Sequence, residues 1–470
     1  MGFIRIYALL ALGLHVLAYS LPEDTFWSLW PYTVLPPWLG ALLAALAALL
    51  VAPGVNARIQ RIISQMWAAI PGKAYPKRWF LALAIFSMPL FWLLRIRHLR
   101  WGDAQILIIG LSHPTLTVIY NWQAPFTVYL HQRLWALVAN PYFGAGVDTV
   151  YALISVLCGG VFVYVTLQLA RDLGRNTLER TLIAGFIFTS GSMQLFFGYV
   201  ENYTIISLGI IIFLWLSLKV LRHEAPLWSA MLALSLTNAF HPSTVLLWPA
   251  ALYLSWRVYR SGVALPKVLL DLLLPPLIVA SSVLTLMELG DHGLQAFLGD
   301  DRPGGGDHIW FVPLTLDAPN QWQQYSMFSL AHFLDWLNLH FLISVFGLAI
   351  LAFGFQLSAF SGQRSAVSGQ LSTFSPQPSA FSLQRSAVFL RFLLIAAGMY
   401  LLFTWTWNAD YGMRKDWDLF SPSAFVYALP AALLLIEKLK EKAALAQATL
   451  LILAVSALHT AAWVLSNVTR

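Results

Sequence analysis

Two short segments of this sequence place carboxylates beside long apolar stretches. Asp103 follows an Arg-Trp-Gly sequence and opens a long segment that is richer in polar residues. Glu201 and Asn202 lie in the sequence Phe-Phe-Gly-Tyr-Val-Glu-Asn-Tyr, with apolar stretches on both sides. A carboxylate next to a dry apolar surface can have its pKa tuned for general-base catalysis. Asp103 is therefore the candidate general base, and Glu201 and Asn202 are candidate substrate-binding residues.

Two further segments contain groups that can bind anions. His241 directly precedes Pro242, which biases the histidine away from helical geometry, and an exposed imidazole can bind phosphate or a metal. The segment 405–422 combines two cations with carboxylates and tryptophans; its candidate residues are Arg414, Lys415, Asp416 and Asp418. Such a mixture can hold a phosphate and a hydroxyl-rich group, with aromatic faces for a sugar ring. We predict a substrate-binding role for all of these residues.

Each segment also has a purely structural explanation. For Asp103 the alternative is a turn or a helix N-cap, where Asp is common. For Glu201 and Asn202 it is an interfacial turn within a belt of aromatic residues. For His241 it is a hydrogen-bonded turn, and for 405–422 a salt-bridged loop, since surface ion pairs are common and contribute little.

The composition indicates whether water or lipid surrounds most of this chain. Of the 470 residues, 59% are hydrophobic and only 10% are charged, with a mean hydropathy of +0.69. A soluble domain carries about 25% charged residues, so this chain has too few to cover a water-facing surface. The net charge of +7 is spread over short loops, which argues against nucleic acid. The single cysteine, Cys158, excludes an internal disulfide and a cysteine-based metal site.

The apolar stretches predict an all-α, polytopic transmembrane helix bundle. A membrane-spanning helix needs roughly 20 mostly apolar residues, and we expect about 11–13 spans on that basis. The candidate stretches lie near residues 3–20, 36–53, 79–94, 147–170, 181–198, 203–221, 226–240, 243–256, 267–287, 329–355, 388–406, 421–437 and 446–465.

The basic residues predict how these spans are oriented. With the N-terminus in the cytoplasm, most of the 28 Lys and Arg residues fall in cytoplasmic loops, as in proteins that follow the positive-inside rule. The four polar segments then lie on the outer face. The outer loop 95–146 contains the amphipathic pieces Ala104–Leu111 and Phe126–Val138, which we expect to be interfacial helices.

The chain divides into four regions by composition. Residues 1–78 form a two-span extension, and residues 79–355 form a membrane core with outer loops 95–146 and 288–328. Residues 356–390 are a low-complexity segment of seven-residue repeats, which we interpret as a flexible cytoplasmic linker. Residues 391–470 contain the last spans and the outer motif loop 405–422.

Together these features resemble the GT-C superfamily of membrane glycosyltransferases, and in particular its protein O-mannosyltransferase-like and aminoarabinose-transferase-like branches. The resemblance covers about residues 75–440. It rests on the many spans, on Asp103 as the acidic residue of a long outer loop, and on the Arg-Lys-Asp-Trp-Asp motif at 414–418. The chain departs from the family pattern in having two spans before this loop, and Gly102 and Ala104 rather than a second acidic residue beside Asp103.

The resemblance implies an inverting enzyme that transfers a sugar from a polyprenyl-phosphate-linked donor at the outer face of a bacterial plasma membrane. Asp103 would be the catalytic base. The implied partners are the lipid-linked donor and membrane lipid, without nucleic acid; the sequence leaves the acceptor and a divalent metal open. A transporter or flippase of lipid-linked sugars, or a polysaccharide polymerase or ligase, is the alternative.

Overall fold

A computed structural model describes residues 1–69, 76–113, 119–298, 310–315, 323–354 and 380–469. The protein is all-α, as the sequence predicts. Its helices are α1 Gly2–Leu17, α2 Pro37–Leu49, α3 Pro53–Ala69, α4 Pro76–Leu93, α5 Ala104–Ser112, α6 Pro125–Leu134, α7 Asn140–Phe143, α8 Val147–Leu173, α9 Thr177–Phe188, α10 Tyr203–Leu221, α11 Leu227–Phe240, α12 Trp248–Arg260, α13 Leu265–Glu288, α14 Leu294–Leu298, α15 Leu330–Ile343, α16 Gly347–Gly354, α17 Ala380–Thr406, α18 Trp417–Phe420, α19 Pro422–Lys438 and α20 Lys442–Val468.

The described residues contain six helices that are long and apolar enough to cross a membrane, or up to eight if each of two bent helix pairs is one span. This confirms a multi-pass membrane fold. The other apolar stretches fold as shorter helices, because breaks interrupt them. The stretch 181–198, for example, becomes α9 followed by a 3-10 turn at Gly191–Phe196.

One of the bent pairs, α15 and α16, turns by 106° near Ser344. Such a break leaves the last carbonyl groups of α15 without helical partners. Other parts of the chain contact carbonyl groups at the break: a ring nitrogen of His459 lies 3.1 Å from Leu342 O in α15, and the Tyr7 hydroxyl donates to Val345 O, just after α15, at 2.7 Å. The break is therefore held by α1 and α20.

The N-terminal region packs against the C-terminal helix. Arg5 donates a hydrogen bond to the side chain of Gln447 at 2.9 Å, and the Asn56 amide donates to Gln447 O at 3.2 Å. Helix α1 also packs directly on α20. The predicted extension 1–78 is thus joined to residues more than 380 positions away, through its described part.

Helix α20 links two polar ends of the bundle. Near its start, Gln447 contacts Asn56; at its end, Asn467 accepts a hydrogen bond from the Trp101 indole at 2.8 Å. The helix between these contacts rises about 30 Å, which is the thickness of a bilayer's hydrocarbon core. The segments that carry the candidate site residues lie at the Asn467 end.

The two predicted outer loops are partly described. The amphipathic pieces of the first loop form α5 and α6, with a π-helical turn at Trp135–Ala139 after α6. The second loop returns to the motif loop: Val312 N donates to Thr406 O at 2.9 Å, and Asn408 N donates to Trp310 O at 3.1 Å. Within the predicted linker 356–390, α17 begins at Ala380, and the remainder lies outside the described residues.

Candidate functional site

Asp103 occupies the N-cap position of α5 but does not cap it. Its side chain makes no hydrogen bond to the first turn of the helix, so the capping explanation of this residue is wrong. The backbone N–H of Asp103 instead donates to the carboxylate of Glu201. The Asp103 side chain remains partly exposed at the end of the bundle.

Gly102 is the point at which three distant segments meet. Its N–H donates to Lys415 O at 3.0 Å, which ties the Asp103 segment to the motif loop. A methyl group on its α-carbon would lie 2.5 Å from Oε1 of Glu201 and 2.7 Å from Oδ2 of Asp418. Its φ of +51° is also in the left-handed region, where residues with a side chain are strained. Glycine is therefore required here by both space and backbone geometry.

Glu201 is buried in the turn before α10, with 3% of its surface exposed. Its Oε2 accepts the N–H of Asn202 at 3.0 Å, and its Oε1 accepts that of Asp103. Burial raises the pKa of Glu201 well above its usual range, and the nearby carboxylates of Asp418 and Asp103 raise it further. Glu201 therefore holds its proton more tightly than an exposed glutamate does.

Asp418 is the most buried carboxylate of the group, at 1% exposure. Its Oδ2 accepts a hydrogen bond from the Tyr199 hydroxyl at 3.2 Å, and its Oδ1 accepts Leu419 N at 3.1 Å. The Trp417 ring packs edge-on against Tyr199, 5.4 Å between centroids, and also against Trp463 of α20. This aromatic packing fixes the motif loop against the Glu201 turn.

Asp416 completes the group of four. Its Oδ2 accepts the N–H of Tyr411 at 2.9 Å, within the motif loop. Burial raises the pKa of Asp416 to about 7, with smaller contributions from Asp103 and Asp410. Burial therefore favours the uncharged form of Asp416. We call Asp103, Glu201, Asp416 and Asp418 the carboxylate cluster.

Within the described part of the chain, Asp103 is the one member of the carboxylate cluster whose carboxylate accepts no hydrogen bond and forms no ion pair. Partial burial of the Asp103 carboxyl group raises its pKa above the ordinary aspartate value. A desolvated carboxylate without a partner is more basic than one in water. Asp103 therefore has the accessibility and basicity needed to take a proton from a bound hydroxyl.

His241 lies beside the carboxylate cluster, with Tyr203 between them. The centroids of the Tyr203 and His241 rings are 5.0 Å apart, and Tyr203 directly follows Glu201-Asn202 in the chain. His241 Nδ1 accepts the N–H of Ser243, so in the neutral ring Nε2 carries the proton. Burial lowers the pKa of His241 to about 4. Its buried Nε2 has no partner among the described residues, which leaves a neutral donor.

The two cations of the motif loop have different surroundings. Arg414 forms ion pairs with Glu23 and, at 3.1 Å, with Asp24, and it lies over the Trp30 ring. Lys415 is exposed, and in the described part of the chain its ammonium group has no ion pair. Of the two predicted phosphate ligands, Lys415 is therefore the one whose charge is available, whereas Arg414 holds the loop after α1.

Sequence reasoning missed three residues that build the site. Tyr199 hydrogen-bonds Asp418. Because it lies only two positions before Glu201, its sequence position could have predicted a place in the site. Gly102 beside Asp103 was a weaker signal, since lone glycines are frequent. Asn467, which accepts the Trp101 indole and lies 3.2 Å from the His98 ring, had none, because it ends an apolar helix far along the chain.

The predicted residues thus converge only in part by direct contact. Asp103, Glu201, Asp416 and Asp418 form the carboxylate cluster, and Lys415 joins it through its backbone. The Asn202 side-chain oxygen is buried without a partner among the described residues. In those residues, no three His, Cys, Asp or Glu side chains converge in a way that could hold a metal ion.

No family model, curated protein or solved structure matches this chain.

Proposed function

We propose that this chain is a membrane glycosyltransferase that moves a sugar from a polyprenyl-phosphate-linked donor to an acceptor hydroxyl. The observation that carries the proposal is the contrast within the carboxylate cluster. Three of its members are engaged in hydrogen bonds, whereas Asp103 presents a carboxylate without a partner among the described residues. A free, desolvated base next to hydrogen-bonded acids suits proton removal from a hydroxyl group.

In the proposed reaction, Asp103 takes the proton of the acceptor hydroxyl as its oxygen attacks the anomeric carbon. The bond between the anomeric carbon and the donor's phosphate oxygen breaks, and the lipid phosphate leaves with the electron pair. A single displacement of this kind inverts the configuration at the anomeric carbon. The developing charge lies on the leaving phosphate, so stabilisation by fixed donors is most valuable there.

The protonation states of the site are compatible with an anionic donor. Four ionised carboxylates would repel a phosphate, but burial raises the pKa of Glu201 and of Asp416, which favours their uncharged forms. The exposed ammonium of Lys415 provides a charge-assisted contact for the phosphate. The Nε2–H of His241 provides a neutral donor for the phosphate or for a sugar hydroxyl.

The proposed location of this chemistry is the outer face of a bacterial plasma membrane, with the N-terminus in the cytoplasm. The distribution of Lys and Arg supports it, since loops rich in these residues stay inside. The loop after α1, which meets Arg414, would then be external together with the carboxylate cluster.

A transporter or flippase of lipid-linked sugars is the second candidate. The two bent helix pairs favour it, since broken helices often form transport sites. Against it, the carbonyl groups at the α15–α16 break are bonded to Tyr7 and His459, not presented to a cavity. A polysaccharide polymerase or ligase would form a glycosidic bond at the same site and is a variant of the main proposal.

Product analysis separates these candidates. The purified protein would be reconstituted in liposomes with a radiolabelled polyprenyl-phosphate sugar and a membrane extract as acceptor. A glycosyltransferase releases the polyprenyl phosphate and moves the label into a new glycosidic product. Movement of the intact lipid between leaflets, without a new product, would contradict the proposal and support the transporter.

A further inference from the structure

Helix α3 runs across the direction of the bundle instead of along it. The axes of α2 and α3 differ by 91°, with the bend at residues 50–52. If α2 runs along the membrane normal, the bend places α3 nearly parallel to the membrane plane.

The residues of α3 are arranged as in a helix at a membrane surface. Val55, Ile59, Ile62 and Met66 recur at spacings of three and four, so they form one apolar stripe. Ile59 packs partly against the core, but the rest of the stripe is uncovered: Val55 is 38% exposed, Ile62 49% and Met66 67%. An uncovered stripe on a chain of this composition faces lipid.

Two arginines flank the stripe on the polar side of the helix. Arg58 and Arg61 are exposed, and in the described residues neither guanidinium group has an ion pair. Further exposed cations, Lys440 and Lys442, lie at the start of α20, against which α3 packs. Glu437 and Glu441 are exposed in the same segment as these lysines, so the positive charge at α3 itself comes from Arg58 and Arg61. The surface of α3 thus combines exposed apolar area with two arginines that have no ion pair in the described residues.

The depth of α3 agrees with this arrangement. Asn56 anchors the helix to the start of α20 through Gln447 O, and the carboxylate cluster lies at the far end of α20, near Asn467. The two sites are separated by about 30 Å of helix, the thickness of the hydrocarbon core. With the cluster at one membrane surface, α3 lies at the other.

We propose that α3 is an in-plane anchor that binds anionic phospholipid headgroups on the surface opposite the carboxylate cluster. Its apolar stripe inserts between acyl chains, and Arg58 and Arg61 bind the headgroup phosphates. Charge complementarity selects anionic over zwitterionic lipid, because each basic residue near an anionic surface contributes favourably. This inference does not depend on the glycosyl-transfer proposal.

Lipid titration of the full-length protein tests the proposal. Delipidated protein in detergent would be titrated with phosphatidylglycerol or phosphatidylcholine, and bound lipids would be counted by native mass spectrometry. We expect phosphatidylglycerol to bind preferentially, and the double variant Arg58→Gln/Arg61→Gln to bind it roughly 30-fold more weakly. Equal binding of the two lipids by the wild-type protein would overturn the proposal.

The matched control is Arg257→Gln/Arg260→Gln, which removes two cations that lie over Trp256 at the end of α12. This variant should retain the wild-type affinity for phosphatidylglycerol. An equal loss in both double variants would mean that only total charge matters, and α3 would not be a binding surface.

A spin label at Met66→Cys, with Cys158→Ala, should be accessible to oxygen and protected from a water-soluble nickel chelate. The reverse would also overturn the proposal.

Discussion

Asp103 differs from the other members of the carboxylate cluster in what its side chain contacts. Glu201, Asp416 and Asp418 each accept hydrogen bonds from backbone N–H groups or from a tyrosine hydroxyl. These bonds fix three carboxyl groups, whereas the fourth has no such partner in the described residues. At the residue scale, the site combines one free carboxylate with three hydrogen-bonded ones.

Asp416 should make the stability of the protein depend on pH. Burial raises its pKa in the folded state from 3.8 to about 7, so between these values the folded state holds a proton that the unfolded state has lost. Stability must therefore fall as pH rises from about 4 to 7, by on the order of 4 kcal/mol from this residue. Asp416→Asn should lose less stability over this range than the wild-type protein, as measured by thermal unfolding in detergent.

Asp148→Asn is the control for this pH dependence, because Asp148 is exposed in the first turn of α8. Its melting temperature should follow the wild-type profile between pH 4 and 7. If Asp416→Asn shows the same slope as this control, Asp416 does not hold a proton in the folded state.

Gly102→Ala should disrupt the carboxylate cluster. The added methyl group would meet Glu201 and Asp418 at 2.5 and 2.7 Å, so their carboxyl groups must move. Gly144→Ala is matched in backbone strain, with φ of +59°, but its methyl group meets nothing within 4 Å. Both variants should lose about 1 kcal/mol of stability from the left-handed backbone, and only Gly102→Ala should also lose sugar transfer. Equal activity in the two variants would show that the contact is unimportant.

At the scale of elements, the motif loop 405–422 contacts several separate parts of the chain. Its Arg414 pairs with the loop after α1, Lys415 O accepts Gly102 N, and Trp417 packs on α20. The loop that follows α14 adds backbone hydrogen bonds to Thr406 and from Asn408. Four separate parts of the chain thus fix one short loop at the end of the bundle.

The two neighbouring cations of this loop should respond differently to substitution. Lys415→Ala removes an available charge and should reduce transfer by roughly 30- to 1,000-fold if the contact is made in the transition state. Arg414→Ala breaks a partly exposed ion pair, which is worth at most about 1 kcal/mol, and should affect stability more than donor use. Steady-state kinetics and thermal unfolding of both variants check this; unchanged kinetics in Lys415→Ala would remove that residue from the site.

The sequence predicts the apolar helices but not the positions at which they break. Apolar stretches and scarce charges predict a membrane bundle, because lipid-exposed backbone must form helices. The α15–α16 break depends on His459 and Tyr7, which lie far away in the sequence, so no local pattern reveals it. Likewise, Asp103 and Asp418 were identifiable as polar residues at span ends, but the roles of Gly102 and Tyr199 follow only from tertiary contacts.

The whole molecule has two chemically different ends separated by apolar helices. One end contains the carboxylate cluster and the other contains α3 with its exposed arginines. This polarity agrees with the orientation that the basic residues predict. One orientation in the membrane is therefore compatible with the carboxylate cluster at one surface and with α3 at the other.

Thiol labelling tests this orientation. In a Cys158→Ala background, Gly305→Cys reports on the loop 288–328 and Ser372→Cys on the insert 356–390. An impermeant thiol reagent should label Gly305→Cys in intact cells and Ser372→Cys only after the membrane is opened. Labelling of both from the same side would contradict the orientation.

The account as a whole requires that the converging segments form one reaction centre around Asp103. The most direct test is the rate of sugar transfer by Asp103→Asn, because Asn preserves the size of the side chain but cannot accept the proton. A general base contributes about 10²–10⁴-fold; we predict a loss of that size, with normal expression and donor binding. The exposed Asp148→Asn should retain wild-type transfer. Full activity in Asp103→Asn would contradict the account.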